Sequence, residues 1–366
     1  MKRILRVLAA GLFFAFSANA SMADTIETQA GILQIDKMAT GLDQPWGFGF
    51  LPDGTVLITE RVGRLMALKS GVLSEVRGAP KVLAEGQGGL LDILVPRDFA
   101  QTRQIFLTYA KTQNRGAGTA VYRARLSEDA SQLENGRMIF ETAPSTITQR
   151  HFGSRLVEAR DGTLFVTIGD RGDRPAAQDL ALHNGKVLRI DKTGAPVSNP
   201  AFSATPGAQL EIYSLGHRNP QGAALDASGQ LWVVEHGAQG GDEVNRVMKG
   251  QNYGWPIISY GRHYSGAKIG EGTAKAGLQQ PEFYWDPARA PSGMTFYDGQ
   301  ISQWRGNAFI GSLKFDYISR LSGDPMMEVE RIQSQHTGRV RDVRQGPRGG
   351  LWFLSIIDGA LYRITR

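Results

Sequence analysis

The stretch HFGSRLVEARDGTLFVTIGD runs from His151 to Asp170, and it spends one of only six histidines in the chain. Between the two ends lie an apolar segment, an Asp161–Gly162 turn and a second apolar segment. Asp-Gly between apolar runs is a hairpin signal, so both ends of the stretch are expected side by side. An aspartate beside one imidazole nitrogen fixes the tautomer and leaves the other nitrogen as a base. The same two residues also suit a structural histidine and a turn aspartate.

Four further strings carry unusual polar chemistry. In GHRNPQG, Arg218 and Asn219 stand between glycine and proline, a planar fork beside an amide, suited to fixing a planar oxygen-rich molecule. A well-bonded turn would look the same. EHGAQGGDEVN, Glu235 to Asn245, mixes acids with glycines; Gly237 and Ala238 could offer backbone carbonyls to calcium, although the spacing is not that of an EF-hand loop. Lys314 in GSLKFD and the pair Arg339 and Arg341 in GRVRD come late in the chain. Residues two apart on a strand share a face, so the two arginines can meet one anion, and a polycarboxylated ligand would account for all three cations. Gln87, among the glycines of EGQGGLLD, is expected at the same mouth, and Trp285, before PARAPSG, is expected as an aromatic wall.

These residues are far apart in sequence, so something must gather them. One pattern recurs six times: an apolar segment, a turn rich in Asp, Gly or Pro, then a β-rich strand. The second strands are expected to begin near Val56, Ile105, Leu164, Leu231, Ala308 and Leu351. Spacings of roughly 43 to 77 residues, short strands and 45 glycines without long amphipathic helices predict an all-β, six-bladed β-propeller. A two-domain β-sandwich explains the sixfold recurrence less well. GKVLRID and GALYRITR supply outer strands, and DASQLENGR is expected as an excursion between strands. Ring closure brings loops of distant units to one mouth of a central channel.

Bulk properties narrow the function. The chain of 366 residues has no cysteine, which excludes disulfides, thiolate metal sites, iron–sulfur clusters and c-type haem. Residues 1–23, basic at Lys2, Arg3 and Arg6 and then apolar, are expected as a removed secretory signal, leaving residues 24–366 as a single exported propeller. Their apolar run is short for a membrane span and no later segment is apolar enough for one, so no stable membrane insertion of the mature chain is expected. Loss of those three cations lowers the net charge from +6 to about +3, and the remaining basic residues are dispersed. No nucleic-acid partner is expected. No GxGxxG nicotinamide fingerprint follows a strand.

As an ordered set, EGQGGLLD, the His151–Asp170 stretch, LGHRNPQG, HGAQGGDEVN, SLK and RVRD resemble the soluble quinoprotein glucose/sorbosone dehydrogenases, and most of all their bacterial periplasmic aldose sugar dehydrogenase branch. The resemblance covers nearly the whole mature chain. It implies a six-bladed propeller binding pyrroloquinoline quinone (PQQ) with calcium. By it, His151 matches the catalytic base and Asp170 the carboxylate that orients it. Gln87 matches a residue of the sugar and cofactor pocket, and Arg218 and Asn219 the pair beside the quinone. Gly237 and Ala238 match carbonyl ligands of calcium, the second being proline in close relatives. Lys314, Arg339 and Arg341 match the cations on the cofactor's carboxylates, and Trp285 an aromatic of the pocket wall. Arg150 stands where the glucose-specialised member has an acid, and the loops are shorter, which implies a more open pocket, broader aldose use and a monomer.

The resemblance thus implies periplasmic oxidation of an aldose at C1 to the lactone. The base takes the anomeric hydroxyl proton, hydride passes to the quinone, and a separate acceptor takes the electrons onward. Two other readings of such a propeller stay open at this point: a calcium-dependent lactonase, which would need no quinone, and a non-enzymatic binder of glycans or proteins.

Overall fold

A computed structural model describes residues 24–366; the expected secretory signal lies outside the described residues. Six antiparallel sheets follow one another along the chain. The innermost strand of each lines a central axis: Pro45–Phe50, Leu90–Leu94, Leu156–Glu158, Pro220–Leu225, Pro291–Phe296 and Val340–Gln345. This is the six-bladed β-propeller expected from the repeats.

Second strands run Val56–Glu60, Gln104–Gln113, Leu164–Ile168, Leu231–Glu235, Ala308–Ser312 and Leu351–Ser355. Five begin at the residue read from sequence and the sixth one residue earlier. Four of them (VLITE, LFVTI, AFIGS and LWFLS) are buried at every position. Both faces of a blade pack on neighbours, so such strands carry continuous rather than alternating apolar residues.

The core is accordingly divided among the seams between blades. Leu57, Leu90 and Ile105 pack together between blades one and two, and Phe106, Leu164 and Leu188 between two and three. Ala223, Val187 and Val233 pack between three and four, and Val234, Met294 and Ile310 between four and five. Trp304, Phe309, Phe353 and Tyr362 join five to six, and Phe48, Ile58 and Leu354 join six to one.

Two features depart from the sequence reading. DASQLENGR is not an excursion: after a turn at Asp129–Ser131, Leu133–Glu141 forms the outermost strand of blade two, Leu133 opposite Leu126. Its outer face is solvent, and residues 135–138 are exposed, so the polar run that disguised the strand is what an edge strand requires. GALYRITR is the third strand of blade six, Ala360–Thr365, and the fourth comes from the other end of the chain, Gly31–Ala39, with Gln34 opposite Thr365. Thr25–Thr28 adds a fifth. The start of the described chain therefore closes the ring onto its end.

Near their start, the inner strands of blades one, two, four, five and six each carry a register irregularity, such as that between Pro45 and Gly47 or between Val340 and Asp342. A bulge re-aims one side chain. The residues at these bulges include Trp46, Leu91, Gln221 and Arg341, all four of which line one cavity. Among the described residues no helix is long and apolar enough to cross a membrane.

Candidate active site

At one mouth of the channel lies a cavity of about 590 Å³ lined by residues from every blade, Gln87, Phe152, Asn219, Ala290 and Arg341 among them. His151 is not itself a lining residue but adjoins two, preceding Phe152 in the chain and donating its N–H to Gln87, and it is 9 % exposed. The hairpin works as expected. Leu156–Glu158 pairs antiparallel with Leu164–Ile168, which returns Asp170 to His151, and Nδ1 of His151 lies 2.6 Å from Oδ1 of Asp170. The backbones pass so closely that a Cβ at position 169 would meet the His151 carbonyl oxygen at 2.1 Å; only glycine fits there.

Asp170 is engaged as an acceptor on both oxygens. Besides the imidazole it takes the Trp255 Nε1–H at 2.8 Å and the Gly172 N–H at 2.7 Å. Burial alone would raise its carboxyl, but the hydrogen bond from His151 and the His151 and Arg218 charges hold it below the usual range. An ionised Asp170 makes Nδ1 the protonated nitrogen, and Nε2 is left as the lone-pair nitrogen. Burial pulls the His151 imidazole below its ordinary value, and the Arg218 charge adds to this against the Asp170 hydrogen bond. The ring is therefore a neutral base at pH 7.

Arg218 and Asn219 leave blade three for blade four. The Arg218 N–H donates to Glu235 Oε2 at 2.6 Å, its guanidinium donates to the His236 carbonyl at 3.1 Å and to the Gly237 carbonyl, and it lies 5.3 Å from the Trp255 ring centre. Its Nε is buried without a partner. Asn219 receives Gln221 Nε2–H on Oδ1 at 3.1 Å, which directs its own NH₂ elsewhere.

The three late cations meet at the same cavity. Lys314 and Arg339 are exposed at its rim, and Arg341 is buried within it. Arg341 Nη2 donates to Gln221 Oε1 at 2.8 Å, its guanidinium lies 4.2 Å from the Trp46 ring centre, and its Nε has no partner. The nearby acids are committed elsewhere: Asp92 and Asp342 both pair with Arg155 and with Arg344. Burial first, and the Arg155 charge second, push the Arg341 guanidinium down to about 9, so it is still charged at pH 7. A buried cation with donors to spare, beside two more, is a site prepared for an anion.

Gly237 and Ala238 lie on a loop pinned by Asp242, whose carboxylate accepts the N–H groups of Gly237, Arg289 and Ala290. Gly237 opens on a narrow cleft beside the cavity, and Ala238 is packed with Ala177, Trp255 and Ile269. Among the described residues no cluster of three or more His, Cys, Asp or Glu could hold a metal ion. Any calcium here would rest on backbone carbonyls, and two fall short of the six to eight oxygens it takes. The rest would have to come from a bound ligand and water.

Trp285 requires a correction. It ends the outermost strand of blade four, packs with Val244, Met294 and Leu321 in the seam to blade five, and donates to Glu328 at 3.2 Å. Large apolar surface won over a role at the mouth. The aromatic wall comes instead from Trp46 and Phe152, with Trp255 behind the imidazole. Trp46, Gln221 and His236 line the cavity and were not singled out from sequence. Aligning the inner strands on their first residue would have found the first two, because Trp46 and Gln221 occupy the position of Arg341 in their own blades. His236 donates Nε2–H to the Pro291 carbonyl at 2.7 Å, and burial pushes it down to about 3, so it faces the cavity uncharged.

A propeller with such a site defines a class, and sequence comparison gives the family. The profile described as Glucose / Sorbosone dehydrogenase matches residues 42–363, and the chain belongs to that family. It is 44 % identical over 334 residues to aldose sugar dehydrogenase YliI of Escherichia coli (strain K12), covering 88 % of this chain and 90 % of that one. The crystal structure of the soluble E. coli aldose sugar dehydrogenase in its apo-form superposes with a TM-score of 0.87 at 41 % identity, over 91 % of this chain and 99 % of that one. The PQQ-bound aldose sugar dehydrogenase of Streptomyces coelicolor superposes with a TM-score of 0.75 at 25 % identity, over 91 % and 98 %.

Proposed function

We propose that the protein is a PQQ-dependent dehydrogenase that oxidises aldose sugars at C1 to the lactone and passes the electrons to a separate acceptor. The observation that carries this reading is the meeting, in one cavity, of the under-partnered Arg341 with Lys314 and Arg339, beside the His151–Asp170 pair. A hydrolase would use the pair but has no need of three cations. The similarity to a PQQ-bound aldose sugar dehydrogenase supports the same reading.

The cations fit the group's carboxylates, and the Gly237 carbonyl, which accepts from Arg218 here, would have to exchange that donor for calcium. Lys314, Arg339 and Arg341 would hold the carboxylates of PQQ, Arg218 and Asn219 its polar edge, and Gly237 and Ala238 a calcium ion shared with it. When bound, PQQ with calcium supplies an electrophilic two-electron acceptor for hydride from the sugar's C1. The chain's own part is proton handling and position. Nε2 of His151 takes the proton of the anomeric hydroxyl as C1 loses its hydride. Asp170 holds Nδ1–H and stabilises the imidazolium that forms. Gln87, on the cavity wall, fixes the His151 backbone by accepting its N–H at 2.7 Å. We further propose that the chain is exported to the periplasm after loss of residues 1–23 and works as a monomer.

The test is reconstitution. Purified apoprotein receives PQQ, calcium or both, and dye reduction is followed across a panel of aldoses, with lactone hydrolysis measured in parallel. Aldose-dependent dye reduction that requires PQQ is expected. Failure to take up the quinone in calcium buffer, or lactone hydrolysis by the cofactor-free protein, would overturn the proposal.

A further inference from the structure

The segment carrying His151 is held in an unfavourable shape. His151 has φ +55°, and so does Arg171, the residue after its aspartate partner. Left-handed backbone at ordinary residues is unfavourable and survives only where neighbours dictate it. For His151 those neighbours act on a single peptide unit, the one joining Arg150 to His151. Its N–H donates to Gln87 Oε1 at 2.7 Å, and its C=O accepts from Arg171 Nη1. The unit is gripped at both ends, from two different blades.

Arg171 does more than hold that carbonyl. Its Nη2 donates to the Thr148 carbonyl at 2.6 Å, and the Thr148 hydroxyl returns a hydrogen bond to the Arg171 carbonyl. The guanidinium lies 3.3 Å from the centre of the Phe152 ring, and the residue is 1 % exposed. Residues 148, 150 and 152 thus touch one side chain on alternate positions, and the imidazole of residue 151 projects between them. A Lys could not do this, because only the planar fork reaches two carbonyls while lying flat on a ring.

We propose that Arg171 is a positioning residue for the base: by fixing the Arg150–His151 peptide plane against Gln87, it sets the direction of the imidazole toward Asp170 and the cavity. This rests on the reading of His151 as the base, but the hydrogen bond itself can be observed without cofactor. The peptide plane together with φ of His151 fixes the Cα–Cβ direction, so rotation of the plane moves the imidazole nitrogens, and displacement of about 1 Å costs about 100-fold in rate.

The test compares wild type, Arg171→Met and Arg171→Lys as full chains. In apoprotein, proton NMR reads the downfield Nδ1–H resonance of the His151–Asp170 bond, assigned by its loss in His151→Asn. Loss or broadening of that resonance is expected in both Arg171 variants. In protein loaded with PQQ and calcium, kcat should fall about 100-fold in Arg171→Met and about 10-fold in Arg171→Lys, with KM for the sugar and affinity for PQQ within about 2-fold of wild type. Should Arg171→Met not fold, Arg171→Lys decides. A folded variant with the wild-type resonance and kcat overturns the proposal. A lost resonance with kcat also unchanged in His151→Asn leaves the positioning in place and removes His151 as the base.

Discussion

Asp170→Asn is the sharpest probe of the dyad. The native carboxylate accepts three hydrogen bonds, from His151 Nδ1, Gly172 N and Trp255 Nε1, and both its oxygens face donors. An amide has one oxygen. If that oxygen stays toward His151 and Gly172, the new NH₂ meets the Trp255 N–H, donor against donor. If it turns to Trp255, the NH₂ meets His151, which must move its own proton to Nε2 and ceases to be a base. Either way the charge that stabilises the imidazolium is gone. That loss lies between the ~3 kcal/mol of a strong charge-assisted hydrogen bond and the ~4 kcal/mol attraction of unit charges about 4 Å apart at an effective dielectric of about 20. At about 1.4 kcal/mol per factor of ten, kcat should fall about 10²- to 10³-fold. The assay is steady-state dye reduction by PQQ-loaded protein at saturating aldose, with PQQ affinity measured separately by absorbance titration. A folded, loaded Asp170→Asn variant within 3-fold of wild-type kcat would refute the reasoning.

The other predictions concern the base, the cations and a buried imidazole. His151→Asn should still load PQQ while kcat drops about 10²- to 10⁴-fold; turnover near wild type in loaded protein removes it as the base. Burial holds His151 below the usual imidazole value of about 6.5, and only the neutral ring accepts a proton, so the acid limb of kcat/KM should lie below pH 6.5. An apparent pKa at or above that value contradicts the assignment. Arg341→Met should weaken PQQ binding about 10- to 100-fold, as expected for one charge-assisted contact, and affinity within 2-fold of wild type would show that the cation faces no ligand charge. His236 is pushed down to about 3 in the folded chain, so between about pH 6.5 and 3 the unfolded chain binds the extra proton. Its contribution to stability is therefore present above pH 6.5 and lost as pH falls, and His236→Gln should flatten the decline of the unfolding temperature across that window; an unchanged slope refutes it.

How much of this was legible depended on whether a residue's role is local. The second strands were readable because their burial is a property of the strand itself: LFVTI is apolar in any blade seam. The His151–Asp170 pair was readable for a similar reason, since one hairpin brings both ends together. Trp285 misled because an aromatic beside a glycine-rich loop looks the same at a mouth and in a seam; the outermost strand of blade four decides which, and that strand pairs with Asp242–Val247 across the long excursion of residues 254–282. The strand Gly31–Ala39 was hidden for a different reason: it completes a blade whose three inner strands lie more than 300 residues away, and no local pattern records its pairing with Ala360–Thr365.

Trp46 and Gln221 are the instructive omissions. Neither is unusual in its own string, PWGFGF or PQGAAL. Each gains its place because a bulge near the start of an inner strand turns one extra side chain toward the channel, and because the ring stacks that position from several blades at one depth. There Gln221 joins the Arg341 fork to the Asn219 amide, and Trp46 lies under the guanidinium groups of both Arg341 and Arg155, at 4.2 and 4.3 Å from its ring centre. Arg155 has its charge met by Asp92 and Asp342, and Arg341 does not. The fold therefore balances one guanidinium and leaves its neighbour for a ligand. In a ring built from repeats, such a difference between equivalent positions separates a structural cation from a binding one.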